Sequence, residues 1–88
     1  MRGIFYILYS QSSDKYYLGH TSETIEVRLR KHNSNHDGFT GNFNDWKCVY
    51  SENYENKALA YKREREVKSW KSRKRLIKFI LGSEHPGS

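Results

Sequence analysis

The sequence is short of the residues that hold many small proteins together by cross-links. Its single cysteine, Cys48, rules out an intrachain disulfide. No disulfide-linked partner is expected. Cys48 falls in an alternating strand pattern and reads as a small buried hydrophobe rather than a nucleophile or ligand. The four histidines, His20, His32, His36 and His85, form no zinc pattern with any Cys pair or carboxylate cluster. One proline, Pro86, lies near the C-terminus, so the composition is not that of a disordered chain. No run approaches the roughly 18 apolar residues of a membrane span. Met1 leads straight into a strand-like pattern with no signal-peptide core, which predicts a cytoplasmic protein with no membrane partner. No glycine-rich phosphate loop is present, and no serine sits on a strand-to-helix elbow.

What remains is aromatic and basic. Hydrophobic residues make up 35% of the 88 positions, low for a globular chain, so the seven Tyr, four Phe and two Trp must carry much of the burial. The length allows one domain, expected over residues 1–82, with residues 83–88 as a flexible tail. Formal net charge is +6, from 16 Lys and Arg against 10 Asp and Glu. Ten of the basic residues fall between Lys57 and Lys78, opposed there only by Glu64 and Glu66. A face of that density marks a polyanion partner, or more plainly a solvated helical surface.

Residues 3–10 (GIFYILYS) are apolar or aromatic on both alternating faces, which predicts a central strand covered on both sides. Residues 11–15 suit a hairpin connection, and residues 16–20 (YYLGH) a second strand. Gly19 inside that strand signals close approach by a neighbour or ligand. Residues 21–24 (TSET) offer helix caps, and the helix should run to about Asn33 with Ile25, Leu29 and His32 on one face and Arg28 beside them. Residues 33–45 form a polar loop, functional or mobile, with Phe39 and Phe43 pinning it to the core. Residues 46–51 read as a third strand, residues 56–70 as a second helix and residues 72–81 as a third. The apolar arc of the second helix is Leu59, Ala60, Val67 and Trp70, with Arg63 inside it and Glu64 at its edge. The predicted fold is a small α/β layer of order β-β-α-β-α-α, a three-stranded antiparallel or mixed sheet flanked by three helices.

The polar groups left for chemistry are Tyr6, Tyr17, Arg28, His32 and Glu64, a set that suits phosphodiester cleavage. An arginine neutralises the phosphate as charge builds. A carboxylate can hold a hard ion such as Mg²⁺ when phosphate and water fill its other positions. A tyrosine phenol can relay or accept the proton of an attacking water if cationic surroundings lower its pKa from roughly 10. Each residue also has a plain reading. Tyr6 or Tyr16 could fill the core, Arg28 could snorkel, His32 could be a satisfied core histidine, and Glu64 could pair with Lys68 or Arg63.

This pattern resembles the GIY-YIG nuclease family. The first tripeptide is Ile4-Phe5-Tyr6, the second Tyr17-Leu18-Gly19. The R-x-x-x-H of the family helix is matched by Arg28-Leu29-Arg30-Lys31-His32, and KREREVKSW places the family glutamate at Glu64. The first tripeptide departs from GIY, but its terminal tyrosine is kept. The resemblance covers residues 3–80 and selects Tyr17 over Tyr16.

It implies a Mg²⁺- or Mn²⁺-dependent DNA endonuclease with catalytic Tyr6, Tyr17, Arg28, His32 and Glu64, the last as metal ligand. The chain is similar to small stand-alone members related to the N-terminal domain of the excision-repair endonuclease. Lacking the separate DNA-binding domain of homing relatives, it should show low sequence specificity. One active site per chain implies nicking. Lys15, His20, Arg30, Lys31, Lys71, Arg73, Lys74 and Arg75 are the candidate nucleic-acid contacts. The rival reading is a nucleic-acid-binding module without catalysis.

Overall fold

The spine of the sheet is β1 (Gly3–Ser10), which lies between β2 (Lys15–Thr21) and β3 (Trp46–Tyr54) and is antiparallel to both. This is a computed structural model that describes residues 2–34 and 43–82. The helices are α1 (Ile25–Ser34), α2 (Lys57–Lys68) and α3 (Arg73–Gly82). The element order is thus β-β-α-β-α-α, as the sequence pattern predicts, and the sheet is wholly antiparallel.

Alternation along β1 divides the core in two. Phe5 and Ile7 point to one face, where Ala60 and Val67 of α2 and Leu76 and Ile80 of α3 cover them. Tyr6 and Leu8 point to the other, with Trp46, Ile25 and Leu29 packed against them. A strand apolar on both faces can only be central, because either face left bare would expose aromatic surface. α1 therefore covers one face, and α2 and α3 the other.

Local hydrogen bonds set the element ends. Thr24 caps α1 by accepting from the Val27 amide at 3.3 Å, and the Asn56 side chain caps α2 by accepting from Leu59 at 3.0 Å. The Ser72 hydroxyl accepts from the Arg75 amide at 3.1 Å at the start of α3. Asn33 ties the end of α1 to β3, with both its amide atoms bonded to the Trp46 backbone. The hairpin turn is closed by Asp14 at φ 53°, whose carboxylate accepts from Tyr9 and Arg73.

Two boundaries and one helix face depart from the pattern. β3 runs on to Tyr54 rather than stopping at Ser51, because the polar Glu52 is held by the Tyr50 and Tyr54 hydroxyls and by Arg63. α2 stops at Lys68 rather than Trp70, since Ser69 caps it and Lys71 turns the chain at φ 49°. Leu59 is 41% exposed, so it does not belong to the apolar arc. The buried stripe of α2 is Ala60, Glu64 and Val67, spaced i, i+4, i+7. Arg63 sits half-buried beside that stripe, paired with Glu52 and Glu66. Phe43 packs edge-on to Trp46, with ring centroids 6.3 Å apart. Phe39, His36, most of the polar loop and the tail at 83–88 lie outside the described residues.

Candidate active site

Tyr6 sits at the middle of β1 directly opposite Gly19 of β2. That pairing explains the glycine. A Cβ there would lie 2.6 Å from Tyr6 Oη and 2.7 Å from Cζ. The Tyr6 ring thus lies across the bare backbone of Gly19, which no larger residue would allow without moving it.

Three of the other expected residues, His32, Tyr17 and Arg28, converge on Tyr6. Tyr6 Oη lies 3.0 Å from His32 Nε2. The Tyr17 ring packs on His32 with centroids 4.8 Å apart, and on Tyr6 at 6.4 Å. The Arg28 guanidinium faces the Tyr6 oxygen, one helical turn before His32. Glu23 anchors it from behind, Oε1 to Nη1 at 3.6 Å. Its Nε is buried and has no hydrogen-bond partner among the described residues. A buried guanidinium donor left open is costly unless something fills it. The guanidinium edge that faces Tyr6 carries the charge an anion needs there, and phosphate matches the planar fork of Arg best.

Burial sets the protonation states. It pushes the Tyr6 phenol above its usual value near 10, and Arg28 offsets this only in part. The lowered phenol pKa expected from a cationic neighbourhood is therefore not found: desolvation outweighs the single guanidinium. Burial, with help from Arg28, also holds the His32 imidazole below its usual 6.5. At neutral pH His32 is uncharged, and with its proton on Nδ1 its Nε2 accepts from Tyr6.

Glu64 belongs to a second group, on the α2 side of the sheet. Its Oε1 is 2.7 Å from His20 Nδ1, and its Oε2 accepts from Lys68 Nζ at 2.6 Å. The His20 ring leans on Tyr61, centroids 4.9 Å apart. The two groups meet along the β2 edge, where the Glu64 charge reaches the Tyr6 phenol. Two adjacent residues of β2, Gly19 and His20, thus serve the two groups from opposite faces.

Fold and spacing together now identify the relationship. A family model for the GIY-YIG catalytic domain matches residues 2–77. The chain belongs to the GIY-YIG family. Comparisons with curated proteins and with solved structures returned no match. In GIY-YIG terms the chain carries a nuclease-type domain. Tyr6, Tyr17, Arg28 and His32 gather on the α1 face of the sheet, and Glu64 lies with His20 on the α2 face. The first-tripeptide variant Ile4-Phe5-Tyr6 leaves Tyr6 on the α1 face and spends Phe5 on the opposite core.

The basic candidates are placed less uniformly. Lys31 is held by both oxygens of Glu23, at 3.0 and 2.9 Å. Arg73 binds the Asp14 carboxylate and carbonyl and stacks on Tyr16 at 5.2 Å. Arg75 lies over Trp70 at 4.1 Å. Arg30, Lys71 and Lys74 are exposed. Lys15 is exposed at the hairpin end of β2, five residues and about 17 Å of strand from His20. His20 emerges as a direct partner of Glu64, and Tyr61 joins it without any forewarning in the sequence pattern. The signal for Lys68 is its i+4 spacing from Glu64; nothing local marks Tyr61.

Among the described residues no three His, Cys, Asp or Glu side chains form a metal cage. A single hard carboxylate such as Glu64 suits an ion that takes most of its ligands from water and phosphate, as Mg²⁺ does.

Proposed function

We propose that the chain is a metal-dependent DNA endonuclease that hydrolyses phosphodiester bonds with low sequence specificity, one active site per chain. The observation that carries this reading is the Arg28 guanidinium beside the Tyr6–His32 hydrogen bond. It puts an anion-binding donor and a proton path at one point.

The phosphate docks on Arg28, which holds its charge as the transition state forms. A water next to Tyr6 attacks the phosphorus. Its proton passes to the Tyr6 oxygen as Tyr6 gives its own to neutral His32 Nε2. A raised phenol pKa suits this relay, because Tyr6 never has to ionise fully; His32 is the final acceptor. Tyr17 packs on His32 and keeps the ring aimed at Tyr6. Glu64 would hold a Mg²⁺ or Mn²⁺ ion, which when bound adds positive charge at the phosphate and leaving oxygen. His20 orients that carboxylate.

The test is cleavage of supercoiled plasmid and of single-stranded DNA with Mg²⁺, Mn²⁺ or chelator. Arg28→Ala and Glu64→Ala should each lose about 10²-fold or more in rate. An inert wild type that still binds DNA would make the chain a binding module without catalysis.

A further inference from the structure

Glu64 is a buried carboxylate with both oxygens already taken. Its side chain is 9% exposed, His20 holds Oε1, and Lys68 holds Oε2. The two partners differ in how firmly they are rooted. His20 lies in β2 opposite Phe5, is 24% exposed and is braced by the Tyr61 ring. Lys68 reaches back one turn from the exposed side of α2 and is 54% exposed. It also lines an open cleft of about 220 Å³, shared with Leu18, Val67, Leu76, Lys71 and Arg73.

We propose that Lys68 is a displaceable internal cation: it gives up Glu64 Oε2 to a divalent metal ion and turns into this cleft. The proposal rests on Glu64 being the metal ligand of the function given above. A carboxylate this buried needs a positive partner, and leaving it bare is costly. A lysine is a compact charge on a flexible stem, so it can leave with little else moving. His20 stays, and keeps Oε1 aimed while Oε2 changes partner.

Before metal arrives the site stays paired, so folding does not depend on metal. Metal affinity is held down by competition with Lys68. The released ammonium joins Lys71 in this cleft, where Arg73 is already paired with Asp14, and adds a cation for the phosphates flanking the cut.

The experiment is direct Mn²⁺ binding, by electron paramagnetic resonance of the free ion, to the full chain without DNA. Lys68→Met and Lys68→Gln should bind Mn²⁺ about two- to fivefold more tightly than wild type, the range for relieving one partly exposed ion pair. Glu64→Gln should abolish that site in every background. Saturating Mn²⁺ should raise the melting temperature of Lys68→Met by more than it raises that of wild type. Circular dichroism in chelator confirms that each variant is folded. Equal or weaker Mn²⁺ binding by both Lys68 variants overturns the proposal, as does Mn²⁺ binding that survives Glu64→Gln. Failure of the nuclease reading shows separately. A chain that exchanges Lys68 for Mn²⁺ yet cuts no DNA supports the exchange and sinks the activity.

Discussion

The Tyr6 hydroxyl, buried in the middle of the central strand, lies 3.0 Å from Nε2 of His32, 26 residues later on α1. Tyr6→Phe removes the donor without changing the ring. It should lower the cleavage rate about 10²- to 10⁴-fold. The buried hydrogen bond is then lost, at a cost of about 0.5–1.5 kcal/mol. Single-turnover cleavage and thermal melts check the two effects separately.

The same contact sets a pH dependence. His32 has its pKa held below 6.5 by burial first and Arg28 second. The unfolded chain therefore binds the His32 proton at higher pH than the folded one. Its stabilising contribution is complete above about pH 6.5 and is lost as pH falls through the lowered folded value. The melting temperature of wild type should drop between pH 7 and pH 5, and His32→Gln should flatten that drop. Cleavage should show a matching acidic limb, because protonated His32 cannot accept from Tyr6.

Gly19→Ala would put a methyl 2.6 Å from Tyr6 Oη. Either the Tyr6 ring or the β2 backbone must move. We expect about 1–3 kcal/mol of destabilisation, typical of overpacking. Activity should fall further than the stability loss accounts for, since the ring leaves His32. An equal rate at a temperature where both proteins are folded would contradict the role assigned to Gly19.

Glu52 lies in a structural network, away from the Tyr6 group. It accepts from Tyr50, Tyr54 and Arg63, and these hydrogen bonds lower its pKa despite burial. The Tyr50 and Tyr54 phenols are both pushed up to about 12, by burial first and Glu52 second. Glu52→Gln should cost about 1–3 kcal/mol in chemical denaturation. Its stabilising effect in wild type is present above about pH 4.5 and lost as pH falls through the lowered folded value. DNA affinity of the folded variant should be unchanged.

Among the basic residues, Lys74 and Arg73 should behave differently. Lys74 is exposed, whereas Arg73 is committed to Asp14 and Tyr16. In DNA binding at several salt concentrations, Lys74→Ala should reduce the slope of log K against log salt by about 1. Arg73→Ala should change the slope less and lower the melting temperature more, because the hairpin loses its tie to α3.

The order of elements and the family are legible in the residues alone. Alternation on both faces of residues 3–10 requires a central strand. The spacing of Tyr6, Tyr17, Arg28, His32 and Glu64 suffices for the resemblance. These are local signals: period 2 in strands, i+4 in helices, and glycine where no side chain fits. The partners of Glu64, the open Nε of Arg28 and the direction of the Tyr6 and His32 pKa shifts come only with packing. Each depends on which groups from distant segments share a buried volume. Tyr6 shows the difference most clearly. With Arg28 expected close by, the sequence reading allows an easily ionised phenol. Packing buries it against α1, and desolvation there outweighs one guanidinium, leaving a neutral phenol within hydrogen-bond distance of His32.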